Sequence, residues 1–278
     1  MTTRGLSVPS TDSRLANLLG GLAPARRRLV VLALAGGALV LVAALAALVV
    51  SRVGGGGTAD QSRPGPVLVV PGYGGGGAVL DPLVTELRRA GRQTVVFEPT
   101  DGGTGDLRVQ ARRLGALVDR TMDQTGADSV DIVGFSAGGV VTQLYVRDEG
   151  GASVVRRVLT VGSPHHGSDV AALAAEAAGG CPAACEQLAT GSDLLRRLAA
   201  GDETPDGPRW ITVRTADDAI VTPSASAVLD GALNIEVQDL CVMATTSHGA
   251  LPGDPVVLAT LRSALADTAP RAPQDVTC

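Results

Sequence analysis

From residue 67 onward, short unbroken apolar runs alternate with longer stretches whose apolar residues recur every three or four positions. The runs predict buried strands over 67–70, 94–97, 130–133, 155–161, 210–214 and 235–237. The periodic stretches predict helices over about 80–90, 107–124, 138–147 and 255–266. Strands alternating with helices indicate an α/β class, a mainly parallel sheet of about six strands with helices on both faces. Continuous rather than alternating apolar strands fit a sheet covered on both sides. The stretch from about 167 to 208 breaks the rhythm. It is rich in alanine and predicts short helices over the strand ends, a small helical cap. No internal repeat is present.

Upstream lies a different pattern. Residues 29–50 form an unbroken apolar run of the length that spans a bilayer, preceded by Arg26-Arg27-Arg28. The arginines should stay cytoplasmic, so the run reads as a transmembrane signal anchor with everything after it outside. A cleaved export signal is the alternative, since Ala43-Ala44-Leu45-Ala46 offers small-residue cleavage sites. Residues 1–28 then form a polar cytoplasmic segment. Residues 51–66, with four consecutive glycines at 54–57, form a flexible linker. Residues 67–278 form the remaining domain.

Composition narrows the class further. The 278-residue chain carries a net charge of -5, which gives no basic face for nucleic acid. About 220 residues after the apolar run suffice for one α/β domain with a large core. Aromatic residues are only 2%, so the core must be aliphatic. All four cysteines follow the apolar run, and an even count in an exported domain points to two disulfides. Of three possible pairings, Cys181–Cys185 would staple a local loop, and Cys241–Cys278 would tie the C-terminal tail to the region before His248. Those two are favoured. The cysteine spacings fit no zinc pattern, and with only three histidines no metal site is expected.

The chemistry gathers around Gly134-Phe135-Ser136-Ala137-Gly138, which reads G-x-S-x-G between a strand and a helix. That setting forces a serine onto a sharp turn with its Oγ exposed at a sheet edge. A nucleophilic serine needs a base and an acid to orient that base, ordered here Ser, Asp/Glu, His. His165 and His166 come too early for that order, which leaves His248 as the base. Asp217 and Asp218, after the fifth strand, both qualify as the acid. An oxyanion needs two N–H donors. One is assigned to the backbone N–H of Ala137 and the other to that of Tyr73, in the loop after the first strand. Ser163-Pro164-His165-His166-Gly167 reads chiefly as a turn that supports the floor of the site and launches the cap.

The same glycine loop contains a competing pattern. Gly72, Gly74 and Gly77 spell G-x-G-x-x-G, and Glu98 follows about 20 residues on, as in a dinucleotide site. An exported domain is a poor place for a nicotinamide cofactor, and this reading leaves Ser136, Asp218 and His248 unexplained. No cofactor is expected. No Gly-Lys-Ser/Thr follows the glycines, which excludes a P-loop.

With these residues in place, the chain resembles the α/β-hydrolases of the class 2 bacterial lipase and esterase type. The resemblance runs from about residue 66 to 266. It rests on Val-Val-Pro-Gly-Tyr-Gly-Gly, Gly-Phe-Ser-Ala-Gly-Gly, Gly-Ser-Pro-His-His-Gly, Asp218-Ala-Ile-Val and Ser-His248-Gly. One departure is Pro71-Gly72 where such loops commonly begin His-Gly. The resemblance selects Asp218 over Asp217, because Asp-x-Ile-Val-x-Pro matches the acid loop of lipases. It implies an α/β-hydrolase fold and hydrolysis of lipid or lipid-like carboxylic esters through an acyl-enzyme, without metal or cofactor. The expected partners are the ester substrate and, through the anchor, a membrane. An envelope acyltransferase using the same residues and a non-catalytic anchored binding domain are the alternatives.

Overall fold

A computed structural model describes residues 23–53, 57–177 and 179–278. The chain divides into two units, Met1–Gly56 and Gly57–Cys278. In the first, α1 (Pro24–Val53) is a 30-residue helix with Pro24 at its start. Its side chains described between Leu29 and Val42 are exposed, Leu39 by 75%. The side chains of residues 44–53, which include the last seven positions of the expected anchor, lie outside the described residues. Among the described residues no helix counts as long and apolar enough to cross a membrane, so the anchor rests on the sequence pattern alone. Most of the expected polar segment 1–28 also lies outside them.

The second unit is built on one sheet of six parallel strands in the order β2-β1-β3-β4-β5-β6. The strands are β1 (Val67–Val70), β2 (Thr94–Val96), β3 (Val130–Phe135), β4 (Val155–Val161), β5 (Arg209–Arg214) and β6 (Leu233–Glu236). Alternate residues of the same strand feed opposite cores. Leu68, Ile132, Val158 and Trp210 join one cluster, while Val69, Val133, Leu159 and Ile211 join the other. Unbroken apolar runs are what such a sheet requires.

Each face has its own helices. The first cluster is covered by α3 (Leu107–Thr125) and α4 (Ala137–Asp148), the second by α2 (Asp81–Arg89) and α9 (Pro255–Ala264). Helix α3 starts where Asp106 accepts hydrogen bonds from the Arg108 and Val109 amides and stops at the left-handed Gly126. Between β4 and β5 the expected cap forms from α5 (Asp169–Glu176), α6 (Ala183–Leu188) and α7 (Asp193–Ala199). Both favoured disulfides, Cys181–Cys185 and Cys241–Cys278, are present.

Most element ends fall within one or two residues of the sequence reading, β3 for instance running on to Phe135, and two of the differences have a clear physical reason. The last strand spans Leu233–Glu236 rather than 235–237, and Val237 opens a short helix, α8 (Val237–Leu240). Polar Asn234 is accommodated in the strand because its Oδ1 accepts from Thr212 Oγ1 (2.7 Å) and the Leu229 amide (3.0 Å). Helix α9 ends at Ala264 instead of 266, where the Leu265 and Ala266 carbonyls accept hydrogen bonds from the buried Arg156 guanidinium at 2.8 and 2.7 Å.

Arg156 belongs to a charged cluster at the start of the strands. Its Nε and Nη2 donate to the two oxygens of buried Asp131 at 2.9 and 2.6 Å, and Arg92 adds a bond of 2.5 Å. The chain from Gly57 also packs here. The Gln61 carbonyl accepts from Arg156 at 3.1 Å, and a β-carbon on Gly65 would fall 1.9 Å from the Ser129 carbonyl oxygen.

Candidate active site

The register of β1, β3, β4 and β5 brings their C-terminal ends to one edge of the sheet, where ligands bind in open α/β sheets. Five segments meet there: the loop from Pro71, the turn at Ser136, residues 162–168, residues 215–223 and the loop carrying His248.

Ser136 sits between β3 and α4 with φ 53° and ψ −127°, a conformation L-residues avoid. Only small neighbours permit it. A β-carbon on Gly138 would lie 2.2 Å from the Val70 carbonyl oxygen, and one on Gly134 would lie 2.7 Å from Gly139 Cα. Gly72 comes equally close from β1, since its missing β-carbon would stand 2.8 Å from Ser136 Cβ. The first glycine of the dinucleotide-like spacing thus serves to bring the loop carrying Tyr73 against the serine.

Three of the expected residues form a hydrogen-bonded line. His248 Nε2 lies 3.0 Å from Ser136 Oγ, and its Nδ1 lies 2.8 Å from Asp218 Oδ2. Asp218 is buried, and its Oδ1 accepts from the Ile220 and Val221 amides at 2.9 and 2.8 Å. An acceptor-only carboxylate so placed fixes the proton on His248 Nδ1 and leaves Nε2 facing the serine. Asp217 is exposed and takes a hydrogen bond from Gln238 at 3.3 Å instead. The imidazole rests against Phe135, with ring centroids 5.1 Å apart. Its loop is pinned by Thr246 Oγ1, which donates to Asp254 Oδ2 at 2.5 Å. Ala137 opens α4, so its N–H has no acceptor within the helix.

The fold has counterparts of known structure. Aspergillus fumigatus lipase B superposes with a TM-score of 0.68 at 21% identity, over 75% of this chain and 54% of that one. The mature Bacillus licheniformis lipase BlEst2 gives 0.57 at 19% identity, over 68% and 87%. The Listeria innocua lin2722 product gives 0.54 at 13%, over 76% and 97%. The chain has the α/β-hydrolase fold. It spans about half the length of the Aspergillus lipase chain. No family model matches the sequence, and no curated protein matches it either.

A cavity of about 310 Å³ opens beside Ser136. Tyr73, Val170, Leu188 and Ile220 are among the residues that line it. Tyr73 is 44% and Ile220 50% exposed, so the rim is apolar. Sequence motifs do not single out Val170 and Leu188, the cap residues among them, because an alanine-rich helix carries no chemical signature.

The histidines of the Ser-Pro-His-His-Gly turn brace the hydrolase fold from below. His165 is buried, with Nδ1 at 3.0 Å from Gln143 Oε1 and Nε2 at 3.1 Å from Thr160 Oγ1. Burial, with a smaller effect from neighbouring His166, lowers its pKa to about 3. His166 Nε2 lies 2.6 Å from Glu203 Oε1, which ties the turn to the chain leaving the cap. Gly162 is a further contributor, to which the sequence reading gave no role beyond its place in Gly-Ser-Pro-His-His-Gly. It follows β4 directly, and its left-handed φ of 56° is the kind of requirement a glycine after a strand can signal.

Proposed function

We propose that this chain is a serine carboxylic ester hydrolase of the lipase or esterase type, acting on esters with an apolar acyl group. The observation that carries the reading is the unbroken Ser136–His248–Asp218 hydrogen-bonded line at the mouth of an apolar cavity. Two structures sharing the fold are named lipases, which agrees with it.

In the proposed reaction Ser136 Oγ attacks the ester carbonyl carbon while His248 Nε2 takes its proton. Asp218 stays ionised and stabilises the imidazolium through Nδ1. The Tyr73 and Ala137 amides donate to the oxyanion, each contributing about 3 kcal/mol to transition-state stabilisation. Collapse breaks the bond to the alcohol, which leaves with the proton from His248. Water, deprotonated by the same imidazole, then cleaves the acyl-enzyme and restores the serine.

The two disulfides support a site of action outside the cytoplasm. Tethering through residues 29–50 is the companion proposal, carried by the sequence pattern. Ser136→Ala should abolish p-nitrophenyl ester hydrolysis and fluorophosphonate labelling while the circular dichroism spectrum stays unchanged. Turnover at the wild-type level in that variant would overturn the mechanism.

A further inference from the structure

The cavity beside Ser136 has a covalent wall. Cys181 and Cys185 line it and are joined to each other, with Cα atoms 5.8 Å apart. Helix α5, which supplies Ala171 and Ala174 to the same cavity, buries none of its side chains fully. Its two ends are held differently. At the start, Ser168 Oγ donates to the Ile220 carbonyl at 2.5 Å and the Asp169 amide to the Thr222 carbonyl at 2.8 Å, fastening the helix to the Asp218 loop. At the other end the chain runs through Gly179 (φ 103°) and Gly180 (φ 69°) into Cys181.

The disulfide closes that glycine turn onto α6, and Cys185 Sγ lies 3.9 Å from the Ala171 carbonyl of α5. Helix α6 is itself anchored away from the cavity, by the Ala184 amide donating to the Thr104 carbonyl at 3.0 Å and Gln187 Oε1 accepting from the Leu107 amide at 2.7 Å. The linkage thus ties the Gly179-Gly180 turn, which precedes Cys181, to a helix held from outside the cavity. A loop this short restricts the unfolded chain less than a long one would, so its main effect is on the local shape of the cavity.

We propose that the Cys181–Cys185 disulfide is a specificity-determining wall of the acyl pocket, limiting the acyl groups that reach Ser136 by holding the α5–α6 turn against the cavity. The proposal rests on the ester-hydrolase reading. With the linkage gone, the glycine turn can yield, and long acyl chains gain relative to short ones. A pocket that gains or loses room for one methylene changes discrimination by about tenfold or more.

The test uses the full chain and p-nitrophenyl esters from acetate to dodecanoate, so that only the acyl group varies. The ratio of kcat/KM for dodecanoate over butyrate should rise at least tenfold in Cys181→Ser/Cys185→Ser. It should stay within twofold of wild type in Cys241→Ser/Cys278→Ser, which removes the disulfide away from the cavity. An unchanged ratio in the first variant, or an equal rise in both, overturns the proposal. Should the first variant not fold, folded wild-type protein is reduced and alkylated with N-ethylmaleimide, and the adducts are located by mass spectrometry. Adducts on Cys181 and Cys185 should fill the cavity and lower the same ratio at least tenfold, and an unmoved ratio again overturns it. Wild-type protein that neither hydrolyses butyrate nor labels with fluorophosphonate would instead defeat the hydrolase reading itself.

Discussion

Gly162 leaves the space in which the imidazole of His248 sits. A β-carbon at position 162 would stand 3.2 Å from His248 Nδ1 and 2.8 Å from Leu251 Cδ1, at a φ of 56°. Gly162→Ala therefore adds backbone strain of about 1 kcal/mol and pushes on the ring and on Leu251 together. A displacement of about 1 Å in a reacting group can cost on the order of 100-fold in rate. We expect kcat for ester hydrolysis to fall by roughly that factor with KM little changed. Wild-type kcat in a folded Gly162→Ala protein would show that the imidazole is not positioned from this side.

Asp131 lies at the second position of β3, the strand that leads into Ser136, and its role is structural. Replacing it with asparagine leaves the fully buried Arg156 facing a neutral amide. Removing one partner of a buried ion pair typically costs about 3–5 kcal/mol. Asp131→Asn should lose about that much in urea unfolding, while the protein that remains folded labels with fluorophosphonate at the wild-type rate. A loss well below 1 kcal/mol would mean that the carbonyls around Arg156 suffice to hold it.

The second disulfide invites a stability prediction of a different kind. Cys241–Cys278 closes a separation of 37 residues and fastens the C-terminal tail beneath the loop that leads to His248. The chain-entropy estimate for a loop of that length is about 4 kcal/mol. Cys241→Ser/Cys278→Ser should lower unfolding free energy by about 2–4 kcal/mol in denaturant titrations. An undiminished unfolding free energy would argue that the tail packs as well without its tether.

Much of this was legible in the sequence because the relevant constraints are local. Continuous apolar runs announced a sheet covered on both faces, and Ser136 could be read from the small residues its strained turn demands. His248 was reached by chain order among three histidines. Asp218 needed more than composition, because Asp217 is chemically identical. What separates them in space is a pair of backbone amides, from Ile220 and Val221, that face only one of the two carboxylates. The contacts that sequence periodicity could not reach are those between distant segments. Leu265 leaves its helix for an arginine on β4, and Asn234 enters a strand because Thr212 on the neighbouring strand satisfies it. Gly162 belongs to the same class, since its requirement arises from a residue far along the chain.

Acidification should expose the burial of His165. Both of its ring nitrogens meet neutral partners, Nδ1–H donating to Gln143 Oε1 and Nε2 accepting from Thr160 Oγ1. Removal from water, and to a lesser degree the neighbouring His166, depress its pKa to about 3 in the folded state. In the unfolded chain an imidazole titrates near 6.5, so between those values the unfolded state binds a proton that the folded state refuses. The stability that neutral His165 permits is complete above about pH 6.5 and is lost as pH falls toward the folded value, by about 1.4 kcal/mol per unit. At pH 5 the loss from this residue is about 2 kcal/mol. His165→Gln keeps a neutral hydrogen-bonding side chain that does not titrate. Its unfolding free energy at neutral pH should be lower than that of wild type, yet it should drop less between pH 7.5 and pH 5. Parallel urea titrations at the two pH values measure the difference, and equal drops in both proteins would show that His165 is not the residue the acid attacks.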